Sequence, residues 1–167
     1  GITYSQVSVN YSLGCARRRD GFVVCWGDDS LGQTDGPVLA PGVSYTQVAA
    51  GGLHACALKS DGSVSCWGWN MLGQINVPGL LPGVQYTQVV ANDVHSCALK
   101  SDGSIVCWGD GEGQTNAPAL PPGEYYTQVT AGGSHNCALT SAGNIVCWKC
   151  WLDECDAPVP APGIIYT

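Results

Sequence analysis

Cysteine is the residue type whose number and spacing say most about the chemistry of this chain. The sequence contains ten cysteines, and eight of them form four pairs whose members are ten positions apart. An even number of regularly spaced cysteines is typical of disulfides formed in an oxidising compartment. Zinc binding is the alternative, but it favours C-x-x-C spacing and needs two pairs brought together. We therefore expect five disulfides, the last between the two remaining cysteines: Cys15–Cys25, Cys56–Cys66, Cys97–Cys107, Cys137–Cys147 and Cys150–Cys155.

Two tryptophans stand outside the regular spacing of the others and are candidates for ligand binding. Trp69 and Trp151 lie in predicted loops, where aromatic side chains often serve binding; ordinary loop packing is the alternative. An exposed indole can stack on a sugar ring while acidic and amide side chains from the same loops bind its hydroxyl groups. The candidate ligand-binding residues are Trp69, Asn70, Trp151, Asp28, Asp110, Gln33, Gln74 and Gln114.

The sequence gives little support to catalysis. It has no G-x-S-x-G, H-E-x-x-H or phosphate-loop motif, and cysteines held in disulfides cannot act as nucleophiles. Glycoside hydrolysis needs two carboxyl groups held roughly 5–10 Å apart, and the scattered loop acids show no such pairing. We expect a protein that is not an enzyme and that uses neither a cofactor nor a metal.

A repeated unit of about 41 residues positions these side chains. The string YTQV begins at Tyr45, Tyr86 and Tyr126, and reads YSQV at Tyr4. Within each unit, two runs of strand-forming residues flank a turn such as Ser60-Asp61-Gly62, which predicts a β-hairpin after a first strand. Cysteines equidistant from the turn then lie opposite each other on one face of the hairpin. Trp26, Trp67, Trp108 and Trp148 directly follow the second cysteine and are interpreted as core between repeats.

The repeats divide the chain into similar segments within a single domain, 1–167. We place them at 1–41, 42–82, 83–122 and 123–162, with 163–167 restarting the unit. Proline-rich connectors join successive repeats and suit the edges of sheets. A fixed period of this size predicts units that must stack on their neighbours to bury a core.

The composition restricts the partners and the location of the protein. The net charge of −7 and the low charged fraction of 11% argue against nucleic-acid binding, and no apolar run is long enough to span a membrane. Asn10-Tyr11-Ser12 is a sequon for N-glycosylation, so Asn10 is a candidate glycosylation site. Gly1 already lies in repeat register, which we expect of a mature secreted form.

The stretch from Gln47 to Gln74, QVAAGGLHACALKSDGSVSCWGWNMLGQ, closely resembles the regulator of chromosome condensation repeat. The resemblance extends over essentially the whole chain and implies a β-propeller with about one blade per repeat. It also implies a structural role for His54, His95 and His135, which share one repeat position and could otherwise ring a metal. Leu13 replaces histidine in the first repeat, in agreement with that structural role.

The expected fold is therefore an all-β propeller of four antiparallel blades, each with its own disulfide. Relatives usually have seven repeats, so either four blades close a small ring, which we favour as a monomer, or two chains share a larger one. We expect a secreted, non-catalytic recognition protein, most simply a carbohydrate-binding lectin. The alternatives are a protein-binding module, such as an inhibitor of a secreted enzyme, and a stable structural or storage protein. A secreted bacterial inhibitor of β-lactamases belongs to the same class.

Overall fold

The computed structural model describes residues 1–109, 117–133 and 135–149, and these residues form twelve β-strands and no helix. Each repeat supplies three short strands, as the hairpin pattern predicts. The strands are β1 Tyr4–Asn10, β2 Leu13–Arg18, β3 Val23–Gly27, β4 Tyr45–Ala50, β5 His54–Lys59, β6 Val64–Gly68, β7 Tyr86–Ala91, β8 His95–Lys100, β9 Ile105–Gly109, β10 Tyr126–Ala131, β11 Asn136–Thr140 and β12 Ile145–Trp148.

The strands assemble into four separate antiparallel sheets, which are the blades. Their strand orders are β1-β2-β3, β4-β5-β6, β7-β8-β9 and β10-β11-β12, so every blade is a meander of consecutive strands. The all-β expectation and the prediction of one blade per repeat are confirmed. Each first strand carries a register irregularity between its tyrosine and its glutamine, as between Tyr45 and Gln47. Such a bulge increases the local twist of the strand.

The hairpin register brings the paired cysteines together. Cys56 lies opposite Cys66 and Leu58 opposite Val64, because the turn at Asp61 is their midpoint. Gly62 in that turn has φ 77°, a left-handed conformation that glycine adopts without steric cost. The disulfides Cys15–Cys25, Cys56–Cys66, Cys97–Cys107 and Cys137–Cys147 are all formed, each with Cα atoms 4.0 Å apart. The predicted Cys150–Cys155 bond lies outside the described residues.

Each blade has two different faces, because side chains alternate along a strand. The backward face, which packs on the preceding blade, carries a tyrosine, a valine and a tryptophan; in the second blade these are Tyr45, Val48 and Trp67. The forward face, which packs on the following blade, carries the disulfide and aliphatic side chains. The core of the protein therefore lies between the blades. It forms three clusters, one for each pair of neighbouring blades.

The tyrosine and the tryptophan of each backward face from the second blade on pack against each other. In the second blade, both also donate hydrogen bonds to backbone carbonyl groups of nearby segments. The ring centroids of Tyr45 and Trp67 lie 6.4 Å apart at an interplanar angle of 43°, and the next two blades repeat this geometry. The Tyr45 hydroxyl donates to the carbonyl oxygen of Pro37 at 2.9 Å, which ties the proline-rich connector to the blade. The Trp67 indole N–H donates to the carbonyl oxygen of Gln33 at 2.8 Å, across the blade boundary. The periodic tryptophans of the second, third and fourth blades are thus core residues.

The four blades form an arc in which each packs on its sequence neighbour. The packing joins β1 and β2 to β4, β4 and β5 to β7, and β7 and β8 to β10. The backward face of the first blade is exposed instead: Trp26 is 50% exposed and Tyr4 52%, against 6% for Trp67 and 3% for Tyr45. The expected closure of four blades into their own ring is therefore not seen among the described strands, because the first backward face would then be buried.

Candidate functional site

An apolar cleft lies at the end of the blades where the first and second strands of each repeat are joined. It has a volume of about 570 Å³ and takes side chains from three consecutive blades. The β1–β2 turn, the β4–β5 and β7–β8 loops and the segment after β6 each contribute. We call this feature the Trp69 cleft, and its lining residues are Tyr11, Ser12, Gly52, Leu53, Trp69, Asp93 and Val94.

The cleft is held in shape by backbone hydrogen bonds. The Trp69 amide donates to the carbonyl oxygen of Leu53 at 2.9 Å, which sets the indole beside the β4–β5 loop. The Gly52 amide donates to the carbonyl oxygen of Asn92 at 3.3 Å and so joins the second blade to the third. A Cβ on Gly52 would lie 3.2 Å from Oδ1 of Asp93, so glycine lets the aspartate approach closely. These contacts position the cleft with little reliance on flexible side chains.

Tyr11 gives the cleft an exposed aromatic rim. It occupies the first position of the two-residue turn between Asn10 and Leu13, with φ 43°. This conformation is uncommon for a bulky residue and costs free energy. The ring is 87% exposed, so burial in the described structure does not offset that cost. A strained, solvent-facing aromatic beside Trp69 is a feature typical of binding surfaces.

Two of the sequence candidates, Gln33 and Gln74, prove to be internal supports of their loops. Both side chains are fully buried. Oε1 of Gln33 accepts from the Leu31 amide at 2.7 Å, and Oε1 of Gln74 accepts from the Leu72 amide at 3.0 Å. Their backbone carbonyl oxygens accept hydrogen bonds from the indole N–H groups of Trp67 and Trp108 in the next blades. In this structure both glutamine side chains support their own loops and do not reach the surface.

Asp28 and Asn70 are exposed, but they also bind their own loops. Oδ1 of Asp28 accepts from the Ser30 amide at 3.0 Å, and this bond is the main reason that the pKa of the Asp28 carboxyl is lowered. Oδ1 of Asn70 accepts from the Ile75 amide at 3.1 Å. Both side chains keep polar atoms at the surface, so they stay candidates for ligand contact. Asp110, Gln114 and Trp151 lie outside the described residues.

The buried histidines bridge neighbouring blades. Nε2 of His54 lies 2.8 Å from Oγ of Ser96, which itself donates to the carbonyl oxygen of Gln74 at 3.2 Å. Because the single hydroxyl hydrogen of Ser96 is engaged in the bond to Gln74 O, Ser96 Oγ acts as the acceptor toward His54. The Nε2–H group of His54 therefore donates a hydrogen bond to Ser96 Oγ. Burial, aided by the charge of His95, lowers the pKa of His54 to about 4. His95 makes the equivalent contact, with Nε2 2.8 Å from Oδ1 of Asn136.

A second concavity lies on the inner side of the arc, at the other end of β4 from the Trp69 cleft. Its volume is about 700 Å³. The same threonine, glutamine and leucine from each of three blades line it: Thr46, Gln47, Leu58, Thr87, Gln88, Leu99, Thr127, Gln128 and Leu139. The threonine hydroxyl groups donate hydrogen bonds to backbone carbonyl groups of their own blades, as from Oγ1 of Thr46 to Leu58 O at 3.2 Å. The lining of this concavity repeats the same three residue types from blade to blade, and none of them is specific to one blade.

Sequence reasoning found Trp69 but missed the residues that surround it. Tyr11 was noted only within the sequon, while Leu53, Asp93 and Val94 carried no motif. The detectable signal was the departure from the repeat, since Asp93 replaces the glycine found at Gly52 and Gly133. Among the residues that the structure describes, no group of three or more histidine, cysteine or acidic side chains could hold a metal ion. The same residues contain no helix able to cross a membrane.

Stacked antiparallel blades with a core between them define a β-propeller-type repeat protein. The sequence profile of the regulator of chromosome condensation (RCC1) repeat matches residues 45–74, 86–114 and 126–148, in three of the four blades. Three of the four blades of this chain are therefore RCC1 repeats. The resemblance drawn from the sequence is thereby confirmed. No curated protein sequence matches the chain significantly.

Solved structures with the same architecture include proteins from plants and yeast. The ectodomain of the Arabidopsis thaliana receptor kinase ACR4 is 25% identical with a TM-score of 0.71, over 90% of this chain and 54% of that one. The ectodomain of the Physcomitrella patens receptor kinase CR4 is 24% identical with a TM-score of 0.69, over 89% and 41%. Prp20p from Saccharomyces cerevisiae is 20% identical with a TM-score of 0.74, over 88% and 45%. The chain therefore spans about half the length of the structures that it matches.

Proposed function

We propose that this chain is a non-catalytic, extracellular recognition module that binds a protein through the Trp69 cleft. The observation that carries the proposal is the composition of that cleft. Trp69, Tyr11, Leu53 and Val94 give it a mainly apolar lining, and Tyr11 is largely exposed. Tryptophan and tyrosine in such surroundings are the side chains most often responsible for protein–protein affinity. An apolar or aromatic anchor on the partner would fill the cleft.

The charge of the cleft adds a second element of specificity. Asp93 supplies a carboxylate at the wall of a mainly apolar cleft, and the whole chain carries a net charge of −7. A partner with a basic group close to its apolar anchor would pair with Asp93 and be drawn by the field of the protein. We therefore propose a partner surface that joins an aromatic or aliphatic side chain to a lysine or arginine.

An extracellular location accounts for the disulfides. Four bonds formed within blades are compatible with an oxidising compartment, and two of the similar structures are ectodomains of receptor kinases. Protein binding is also the activity named for yeast Prp20p, whose structure was described together with its binding to Gsp1p and histones. Those partners are properties of Prp20p. What we extend to this chain is the use of the propeller scaffold for protein recognition.

Carbohydrate binding is the second candidate function. It is favoured by one observation, the presence of Trp69 and the carboxylate of Asp93 in the same cleft, which could stack on a sugar and bind its hydroxyl groups. Against it stand Gln33 and Gln74, whose burial removes amides that a repeated sugar site would need. The loops of successive blades also differ in sequence, which suits a single protein partner better than several equivalent sugars.

Affinity capture with matched variants distinguishes the two functions. The wild-type chain and the variants W69A and M71A are immobilised and exposed to extracellular protein from the source tissue. Met71 lies in the same loop and is highly exposed, but it does not line the cleft. We expect one protein to be retained by wild type and M71A, to be lost with W69A and to resist elution by free sugars.

The complementary measurement is a glycan array probed with the same three proteins. Binding that depends on Trp69 and is competed by a free sugar would establish the lectin function and overturn the protein-binding proposal. A captured protein that binds W69A as tightly as wild type would place recognition elsewhere on the molecule.

A further inference from the structure

We propose that the bond between Asp35 and Gly36 is a site of spontaneous modification, at which aspartate is converted into isoaspartate through a cyclic imide. The inference is independent of the function proposed for the Trp69 cleft. It rests on how differently the structure holds the Asp-Gly pairs of the chain. Four such pairs lie in the described residues: Asp20-Gly21, Asp35-Gly36, Asp61-Gly62 and Asp102-Gly103.

The reaction joins the glycine amide to the aspartate side chain. Glycine favours it because the absence of a Cβ lets its backbone approach closely. The Gly36 nitrogen bonds to Cγ of the neutral Asp35 carboxyl group, and the carboxyl hydroxyl leaves as water with the amide hydrogen. Water then opens the imide at either carbonyl carbon. Cleavage of the bond to Cγ restores aspartate, whereas cleavage of the original peptide bond leaves the chain connected through Cγ, with a free α-carboxylate.

Two of the other aspartates are held by serines in their hairpin turns. Oδ1 of Asp61 accepts from the Ser63 hydroxyl at 2.6 Å and from the Ser63 amide at 2.9 Å. Asp102 makes the same two bonds with Ser104. The hydroxyl bond is the main reason that the pKa of each carboxyl group is lowered. A lower pKa depletes the neutral carboxyl form that the reaction needs.

The third hairpin pair is protected by an arginine. Nε of Arg18 donates to Oδ1 of Asp20 at 3.0 Å, and the guanidinium group lowers the pKa of this carboxyl as well. The glycine amides of all three hairpins are also engaged, since each donates to the carbonyl oxygen three residues before it. These bonds are Gly21 N to Arg18 O at 3.1 Å, Gly62 N to Lys59 O at 3.0 Å and Gly103 N to Lys100 O at 2.9 Å.

Asp35 and Gly36 lie in the connector between β3 and β4, and both are exposed. Within the part of the chain that the structure describes, no group donates a hydrogen bond to the Asp35 carboxylate. The Gly36 amide donates to Thr34 O at 3.1 Å, across a three-residue turn in place of the four-residue turn of the hairpins. Neither reacting group is therefore held as firmly as its counterparts in the hairpins.

Isoaspartate at this position would loosen the boundary between the first two blades, because it lengthens the main chain by one atom. A Cβ on Gly36 would lie 3.4 Å from Cζ2 of the buried Trp67, so the lengthened segment runs beside the indole. The next residue, Pro37, accepts the Tyr45 hydroxyl at 2.9 Å. The isolated isoaspartyl form is expected to unfold at a lower urea concentration than the parent chain. An unchanged midpoint would refute this loosening.

Peptide mapping of the aged protein tests the proposed site. The folded chain is kept in mildly acidic buffer, then reduced, digested and analysed by mass spectrometry with electron-transfer fragmentation, which distinguishes isoaspartate from aspartate. The peptide containing Asp35 is expected to divide into two peaks of equal mass, with a transient species that has lost one water. The peptides of Asp20, Asp61 and Asp102 are expected to remain single. The fifth pair, Asp110-Gly111, lies outside the described residues and is mapped separately.

G36A is the matched variant. Val77 and Ala117 occupy this position in the next two repeats, so alanine is compatible with the fold. The variant is expected to lose the isoaspartate at residue 35 and to keep its circular dichroism spectrum. In the reduced chain unfolded in urea, the four pairs are expected to react at similar rates. Isoaspartate that forms first in a hairpin pair of the folded protein, or equal selectivity in the unfolded chain, would overturn the proposal.

Discussion

The side chain of Gln6 satisfies both backbone groups of Val48 in the neighbouring blade. Its amide nitrogen donates to the Val48 carbonyl and its carbonyl oxygen accepts from the Val48 N–H, each at 2.9 Å. Val48 lies on β4, which is an edge strand of its sheet: it pairs with β5 on one side and with no strand on the other. The glutamine therefore takes the place of a neighbouring strand for that one residue. Gln47 and Gln88, at the same repeat position, make equivalent contacts to Val89 and Val129 of the next blades.

Removing this glutamine should weaken the contact between blades. Q6A leaves a buried N–H and a buried C=O without their partners, which costs about 1–3 kcal/mol of unfolding free energy for each unsatisfied group. The expected result is a lower denaturant midpoint in equilibrium unfolding by urea. Q128A is the control, because Gln128 holds the same repeat position but is exposed. Equal destabilisation by both variants would contradict this role.

The disulfide inside the second blade should make a moderate contribution to stability. Replacing both of its cysteines, in C56A/C66A, removes a cross-link between residues ten positions apart. The chain-entropy estimate for a loop of this size is about 2–3 kcal/mol. We expect the double variant to fold and to unfold at a lower guanidinium concentration. An unchanged midpoint would show that the bond adds no stability to a hairpin already held by its neighbours.

Stability should fall as the pH is lowered from about 6.5 to about 4, because of His54. Burial lowers the pKa of this histidine in the folded state from 6.5 to about 4, so the unfolded chain binds the proton first. Its contribution is therefore fully present above pH 6.5 and is lost progressively down to pH 4. The difference between the two pKa values corresponds to roughly 3 kcal/mol. Urea unfolding at a series of pH values measures it.

The variant H54L isolates this effect, because leucine is the residue found at the equivalent position, Leu13, in the first repeat. Ser96 keeps its bond to the Gln74 carbonyl in this variant. We expect a flatter stability profile between pH 4 and 6.5. Carboxyl groups such as Asp61, whose pKa is lowered by its bond to the Ser63 hydroxyl, lose their contribution only below this range. A profile that H54L leaves unchanged would assign the pH dependence to other groups.

Gln33 provides a test of structural support against ligand contact. Q33A removes the acceptor of the Leu31 amide, and we expect a loss of about 1 kcal/mol of unfolding free energy. Affinity for a partner of the Trp69 cleft should not change, since this residue is fully buried and does not line the cleft. Calorimetric titration of the variant with the captured partner provides the measurement. A variant of normal stability and weakened binding would restore Gln33 as a ligand residue.

The local parts of this fold could be predicted from the sequence because hairpin register depends on nearby residues alone. The turn at Asp61 and Gly62 places Cys56 opposite Cys66, whatever the rest of the chain does. The period of the repeat then predicts that each further unit behaves in the same way. Blade number, strand order and the four disulfides all follow from this local rule.

The site depends on relations between blades, and these leave weaker signals in a sequence. Tyr11, Trp69 and Asp93 come from three blades and meet only after stacking. Trp26 and Trp67 occupy the same position in the sequence repeat, but Trp26 is half exposed and Trp67 is buried. The difference arises from what lies beside each blade. Burial of Gln33 was missed for the same reason, since polar loop residues are usually exposed.

The four bonded cysteine pairs each close within a single blade, over ten positions of sequence. Oxidation can therefore proceed hairpin by hairpin, each one acquiring its cross-link once its own two strands have paired in an oxidising environment. Long-range contacts slow folding and leave chains exposed to misassembly, whereas nearby closures form quickly. For a protein with ten thiols to sort, the meander of each blade reduces a large pairing problem to several small ones solved in chain order.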